Sequence, residues 1–175
     1  MVLALGASLF AYLSGRDRAP DFTLLDQKGS FTLSEQHGRV VLLFFGYTHC
    51  PDVCPATMAN LEHALASLGT AGKDAEIAFV TVDAKRDSPA VLARYAELFG
   101  PNVIGLTGAD AAVDRVYAAY HVFHQDLPRQ PGDSTYYVAH SSAVYYIDRN
   151  GRLSGFGDWT ETPAQIAKRL RGLTT

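Results

Sequence analysis

Val40-Val41-Leu42-Leu43-Phe44-Phe45-Gly46-Tyr47-Thr48-His49-Cys50-Pro51-Asp52-Val53-Cys54-Pro55 runs from a wholly apolar stretch straight into a cysteine-bearing turn. Val40 to Phe45 carries no polar side chain, the pattern of a strand buried on both faces of a sheet. The chain has two cysteines, and both fall in this window. A pair of thiols at the mouth of a strand-to-helix turn is either a redox couple or half a metal site. With no further cysteine available, a scaffold of structural disulfides is excluded.

Working outward, Met58, Leu61, Leu65 and Leu68 recur at helical spacing, and Gly69 stops the run, so the turn is followed by a helix over Pro55–Leu68. Ile77–Val82 is a second buried strand. Ser88 with Pro89 behind it starts a helix that ends at Phe99, before Gly100-Pro101. Val103–Leu106 is a short strand, and Asp110 is the expected cap of a helix through Tyr120. His121–Thr135 shows no apolar periodicity and reads as an irregular excursion. Ala143–Ile147 and Leu153–Phe156 form a hairpin around Asp148-Arg149-Asn150-Gly151, and Thr162-Pro163-Ala164-Gln165 is a capping box for a last helix. Upstream, Asp21–Leu24 and Ser30–Leu33 make a small hairpin about a turn-rich linker. The order predicts a single-domain α/β protein with a thioredoxin-like fold, an N-terminal β-hairpin and an inserted helix. Fold alone does not fix function.

At 175 residues the chain suits one core, and its net charge of −3, without a basic cluster, argues against a nucleic-acid binder. Val2–Leu13 is almost wholly apolar but shorter than the ~20 residues a membrane-spanning helix needs. No Lys or Arg precedes it, as one would in a secretory signal. Residues 1–18 therefore read as the remnant of an N-terminal membrane anchor or signal, or as a flexible tail, and residues 19–175 as the domain.

The C-x-x-x-C spacing is one residue longer than the dithiol C-x-x-C, and Pro51 and Pro55 flank a looser turn in which both sulfurs could face one ion. A disulfide between them also stays open. Soft thiolates suit Cu(I), zinc or iron–sulfur clusters. Two are too few for a cluster, and structural zinc wants four protein ligands. Cu(I) is satisfied by two thiolates and one imidazole. Of the six histidines, His140 is the leading candidate. It lies in Tyr137-Val138-Ala139-His140-Ser141-Ser142, in the loop that in this architecture passes beside the cysteine turn. Redox members of the fold place a cis-proline there, and this chain has none. The plain alternative is a loop histidine bonded to backbone. His49 should point away from the sulfurs, His121 and His124 suit a solvated helix end, and His63 and His37 receive no role. A thiol peroxidase would need P-x-x-x-T-x-x-C, but Leu43 and Tyr47 stand where that proline and threonine belong.

Phe44 to Pro55 resembles the central motif of the Sco/SenC copper chaperones. Further similarity lies in Val80-Thr81-Val82-Asp83, Arg86-Asp87-Ser88-Pro89, Ile104-Gly105-Leu106-Thr107-Gly108 and His140-Ser141. The resemblance implies Cys50, Cys54 and His140 as copper ligands, holding Cu(I) in a near-trigonal site and also accepting Cu(II). It implies delivery to the binuclear copper centre (CuA) of cytochrome c oxidase. The implied partners are the CuA-bearing oxidase subunit and other copper chaperones. It also implies an N-terminal tether on the extracytoplasmic, periplasmic side of a membrane. The competing reading is a thiol–disulfide oxidoreductase that reduces cysteines of the oxidase subunit or acts in redox signalling. Ala84 replaces the proline of many members and is expected to loosen the turn before Arg86. Asp83, Arg86 and Asp87 read either as a solvated charged turn with a structural ion pair or as an electrostatic rim for a partner.

Overall fold

The structure, a computed structural model, describes residues 18–129 and 135–173. The anchor or tail reading, apart from Arg18, and residues 130–134 of the excursion lie outside that range.

The elements are β1 (Thr23–Leu25), β2 (Ser30–Thr32), β3 (Val40–Gly46), α1 (Val53–Ser67), β4 (Ala75–Thr81), α2 (Pro89–Glu97), β5 (Val103–Leu106), α3 (Asp110–Ala119), β6 (His124–Asp126), β7 (Val138–His140), β8 (Val144–Ile147), β9 (Leu153–Gly157) and α4 (Pro163–Arg171). A five-stranded sheet has the order β5-β4-β3-β8-β9. β3, β4 and β5 are parallel, β8 pairs antiparallel with β3, and β9 pairs antiparallel with β8. Every residue of β3 is buried, as its apolar sequence requires. Alternation along β3 divides the layers. Phe44 and Gly46 face α1 and α2: Phe44 packs on Phe79, which packs on Tyr95 of α2, and Gly46 abuts Cys54 of α1. Phe45 faces the other way, onto Tyr117 and Tyr120 around α3. The β1–β2 hairpin seals that second layer through Phe22 and Tyr120. This is the expected thioredoxin-like α/β arrangement, with α2 and edge strand β5 as the insertion.

Most starts and stops match their sequence signals. Ser88 accepts from the Val91 N–H with Pro89 in the first turn, and Thr162 and Gln165 form the reciprocal capping box. Gly151, at φ 71°, takes the left-handed turn position. Three expectations need correction. α1 begins at Val53 rather than Pro55, because a proline in the first turn forfeits no helical bond. Ala109, not Asp110, caps α3, leaving Asp110 in the first turn, where a carboxylate complements the helix dipole. The excursion is not wholly irregular: β6 pairs antiparallel with β7, His124 opposite His140. All three β6 residues are exposed, so no apolar alternation marked it.

Candidate metal centre

The cysteine turn is built by the end of β3 and the start of α1. The Cys50 N–H donates to the Tyr47 carbonyl at 3.2 Å, folding the chain back on itself. Asp52 stands at the helix cap without using its side chain. Cys50 Sγ takes that place, accepting the Cys54 N–H at 3.4 Å. A sulfur bonded to a helix N-terminus is favoured as thiolate. Cys54 is fully buried and Cys50 half-buried; both are free thiols. Gly46 makes room for the pair, since a Cβ there would lie 2.8 Å from Cys54 Sγ and 2.8 Å from the Phe79 ring.

β7 delivers the third group. His140 ends that strand, its ring held edge-on by Tyr47 at 5.7 Å and Phe44 at 6.4 Å between centroids. Its Nδ1–H donates to the Ser141 carbonyl at 2.8 Å, an acceptor with no proton of its own. That fixes the tautomer and leaves the Nε2 lone pair aimed at the sulfurs. Nε2 stands 3.5 Å from Cys54 Sγ. The ligand atoms of Cys50, Cys54 and His140 all lie within 4.8 Å of one another, the one such group among the described residues. The backbone-bonded histidine, set against a ligand in the sequence reading, proves compatible with one: the backbone bond uses Nδ1 and frees Nε2.

The two thiols titrate as a unit. The hydrogen bond from Cys54 lowers Cys50 to about 3, against the opposing effect of burial, with the Cys54 and Asp52 N–H groups assisting. Cys54 is driven upward by its bond to Cys50, by burial and by the charge on Cys50. The pair at neutral pH thus carries one proton, held on the buried sulfur. Two soft thiolates and a pre-oriented neutral imidazole make a three-donor nest for a soft cation such as Cu(I).

A sequence profile of the SCO1/SenC family matches residues 11–175. The chain belongs to the SCO1/SenC family. Relatives include the SCO2-like protein of Rickettsia felis, 35% identical over 153 residues, spanning 87% of this chain and 75% of that protein. Protein SenC of Rhodobacter capsulatus is 36% identical over 149 residues, spanning 79% of this chain and 66% of SenC. Among solved structures, Bradyrhizobium japonicum ScoI with copper bound gives a TM-score of 0.80 at 33% identity, covering 90% of this chain and 99% of that one. Yeast Sco1 with copper bound gives 0.78 at 30% identity, covering 89% and 87%. These neighbours share the single-domain, thioredoxin-like α/β fold.

In this SCO1/SenC member the remaining histidines stay away from the sulfurs. His49 is exposed, bonding Thr48 Oγ1 at 3.1 Å, and His63 and His37 are exposed. His124 is on β6 rather than at a helix end, its ring tilted against that of Tyr117 at 4.5 Å between centroids. His121 follows α3 at φ 53°.

Asp83 and Asp87 are buried, so the turn is not solvated, but the structural ion pair of the plain reading is present between Asp83 and Arg86. Asp83 is 5% exposed and Asp87 0%. Asp87 accepts the Thr48 N–H at 3.0 Å and the hydroxyls of Thr48 and Thr81, each at 2.6 Å, pinning the cysteine turn to the end of β4. Arg86 pairs with Asp83, donates to Thr135 Oγ1 at 2.7 Å and the Tyr136 carbonyl at 3.0 Å, and stacks 3.6 Å over the Tyr136 ring. The Tyr136 hydroxyl returns to Asp83 at 2.8 Å. This clamp holds the chain entering β7, and the Tyr47 hydroxyl receives the Val138 N–H at 3.3 Å. The turn is not loosened by Ala84, since the N–H groups of Arg86 and Asp87 both donate to the Asp83 carbonyl at 3.0 Å. Tyr47 and Thr48 stood in the quoted block without a role. Their signal, an aromatic and a hydroxyl between strand and thiols, has no unique chemistry until the fold is known.

Proposed function

We propose that this protein is a copper chaperone, not an enzyme, which binds Cu(I) on Cys50, Cys54 and His140 and passes it to the CuA-bearing subunit of cytochrome c oxidase. The convergence of three ligand atoms within 4.8 Å, one of them a tautomer-fixed imidazole, carries this reading. The copper-bound structures of related Sco proteins support it. A half-buried site suits transfer, because incoming ligands can reach the metal before the old ones leave. Cu(II) could occupy the same donors, and other copper chaperones would supply the ion.

Anaerobic Cu(I) titration of the reduced protein against Cys50→Ser, Cys54→Ser and His140→Ala tests the ligand set. Undiminished affinity in any variant removes that residue. Mixing the Cu(I) form with a soluble apo-CuA domain should load that domain with two copper ions, counted by metal analysis after separation, and one-electron oxidation with added ferricyanide should then develop the purple mixed-valence CuA absorption. The apolar Val2–Leu13 stretch supports tethering to a membrane, and the periplasmic side is the one on which the oxidase copper domain would be met; no helix among the described residues is long and apolar enough to cross a membrane.

One observation favours a second reading, thiol–disulfide exchange. Cys50 is acidic and partly exposed beside a buried partner thiol, the division of labour between attacking and resolving sulfurs. Reduction of the oxidised CuA domain by this protein without copper, and no metal transfer with it, would favour that role.

A further inference from the structure

Beside the metal centre a cleft of about 500 Å³ opens between β6, the turn after β4, and α3. Its β6 wall is a free strand edge. The bonds Leu127 N–H to Tyr137 O and Ser141 N–H to Phe123 O make Gln125 and Ala139 a hydrogen-bonded pair in the β6–β7 register. His124 and Asp126 then turn their N–H and C=O groups away from β7. Among the described residues β6 has no second neighbour, and all three of its residues line the cleft. Outward main-chain groups on alternate residues are a template for another strand.

The opposite wall carries Asp110 and Asp114, one helical turn apart on α3. Neither has an ion-pair partner among the described residues. Asp126 meets Lys85 at 3.6 Å, an exposed and weak pair, while the charge of Asp83 is taken up by Arg86. Val82, Val113 and Tyr117 supply apolar lining between the two walls.

We propose that a partner protein docks here by adding an extended segment to the β6 edge, with Lys or Arg at alternate positions reaching Asp110 and Asp114. A helix cannot satisfy outward main-chain groups spaced by two residues, and an acidic strand would be repelled. A second copy of β6, His124-Gln125-Asp126, brings no Lys or Arg to Asp110 and Asp114, which opposes a second copy as occupant. The docked segment becomes the third strand of the ribbon that carries His140, so docking steadies the mount of the imidazole. The surface itself is independent of whether copper is the cargo.

The test uses the full chain and a short fluorescent peptide with lysine at every second position and valine or threonine between. Anisotropy should show salt-sensitive binding, with amide NMR shifts centred on His124 and Asp126. Asp110→Asn with Asp114→Asn should weaken binding about fivefold or more, the loss expected for two attractive contacts in partly screened surroundings. A peptide of the same charge, N-methylated on the residues facing β6, should lose binding comparably. The proposal is overturned if the methylated peptide binds equally well, if the shifts fall elsewhere, if no binding occurs at millimolar peptide, or if β6 self-associates instead. Cu(I) titration of the double Asp variant should be unchanged. Failure of the copper reading would show in that titration for the native chain, with peptide binding intact.

Discussion

Arg86→Gln tests how the imidazole is held. In the native chain the Asp83 side chain is 2% exposed and its charge faces the Arg86 guanidinium, with the Tyr136 hydroxyl as the other donor. Glutamine removes the counter-charge, the bonds to Thr135 and Tyr136, and the stacking on the Tyr136 ring. Stranding one partner of a buried pair costs about 3–5 kcal/mol. Because the Arg86 side chain is 17% exposed, water can reach part of the gap and the lower end applies, about 3 kcal/mol. Urea unfolding followed by circular dichroism should show this as a lower midpoint at unchanged slope. Asp83→Asn combined with Arg86→Gln should cost less than the sum of the single changes, since no charge is then left unpaired. Cu(I) affinity should also fall in Arg86→Gln, but not fall further when the change is made in a His140→Ala background, if the clamp acts through the imidazole. A loss under about 1 kcal/mol, the value of a surface pair, would refute the buried-clamp reasoning. Additive losses of copper affinity would refute the link to His140.

The pair of thiols predicts a proton count. With Cys50 deprotonated above about 3 and Cys54 raised, Cu(I) binding between pH 7 and 9 displaces one proton, so log affinity should rise by about 1 per pH unit. A slope near 2 would mean both sulfurs are protonated in the free protein, and a slope near 0 that neither is; competition titration against a pH-characterised chelator decides. Asp87→Asn presents an amide to donors that now meet a carboxylate, so it should cost about 2–3 kcal/mol in urea unfolding. A change below 0.5 kcal/mol would deny Asp87 its pinning role, being no more than about the effect of an ordinary surface substitution. Gly46→Ala places a methyl 2.8 Å from Cys54 Sγ. It should cost about 1–3 kcal/mol by overpacking and weaken Cu(I) binding by displacing that sulfur; native affinity with native stability would show that the sulfur has room to spare.

The central part of the fold was legible because its signals are local. Val40–Phe45, the cysteine turn, the proline-led helices and the Thr162 capping box each announce themselves within a few residues. β6 and β7 did not, because β6 buries nothing and β7 buries only Val138, so no apolar alternation marks the pair. The charged residues misled for a different reason. Asp83 and Asp87 look like surface residues in any pattern based on polarity, and only the donors brought by Thr48, Thr81, Arg86 and Tyr136 make their burial affordable.

The candidate metal centre divides along the same line. Cys50 and Cys54 are set by one turn, so their proximity follows from sequence spacing alone. His140 lies 86 positions beyond Cys54, and no spacing rule brings it there. Its arrival depends on β7, on the Tyr47 hydroxyl at Val138, and on the clamp at Tyr136. Asp83 and Arg86, whose role the sequence left open, therefore determine where the one non-local ligand stands. Asp87 performs the matching task for the local pair by fixing Thr48, two residues before Cys50. Both anchors sit in the turn after β4, next to the cleft along β6. A strand docking in that cleft would meet the support of the imidazole before it met the metal, which gives partner binding a direct mechanical route to the strength with which copper is held.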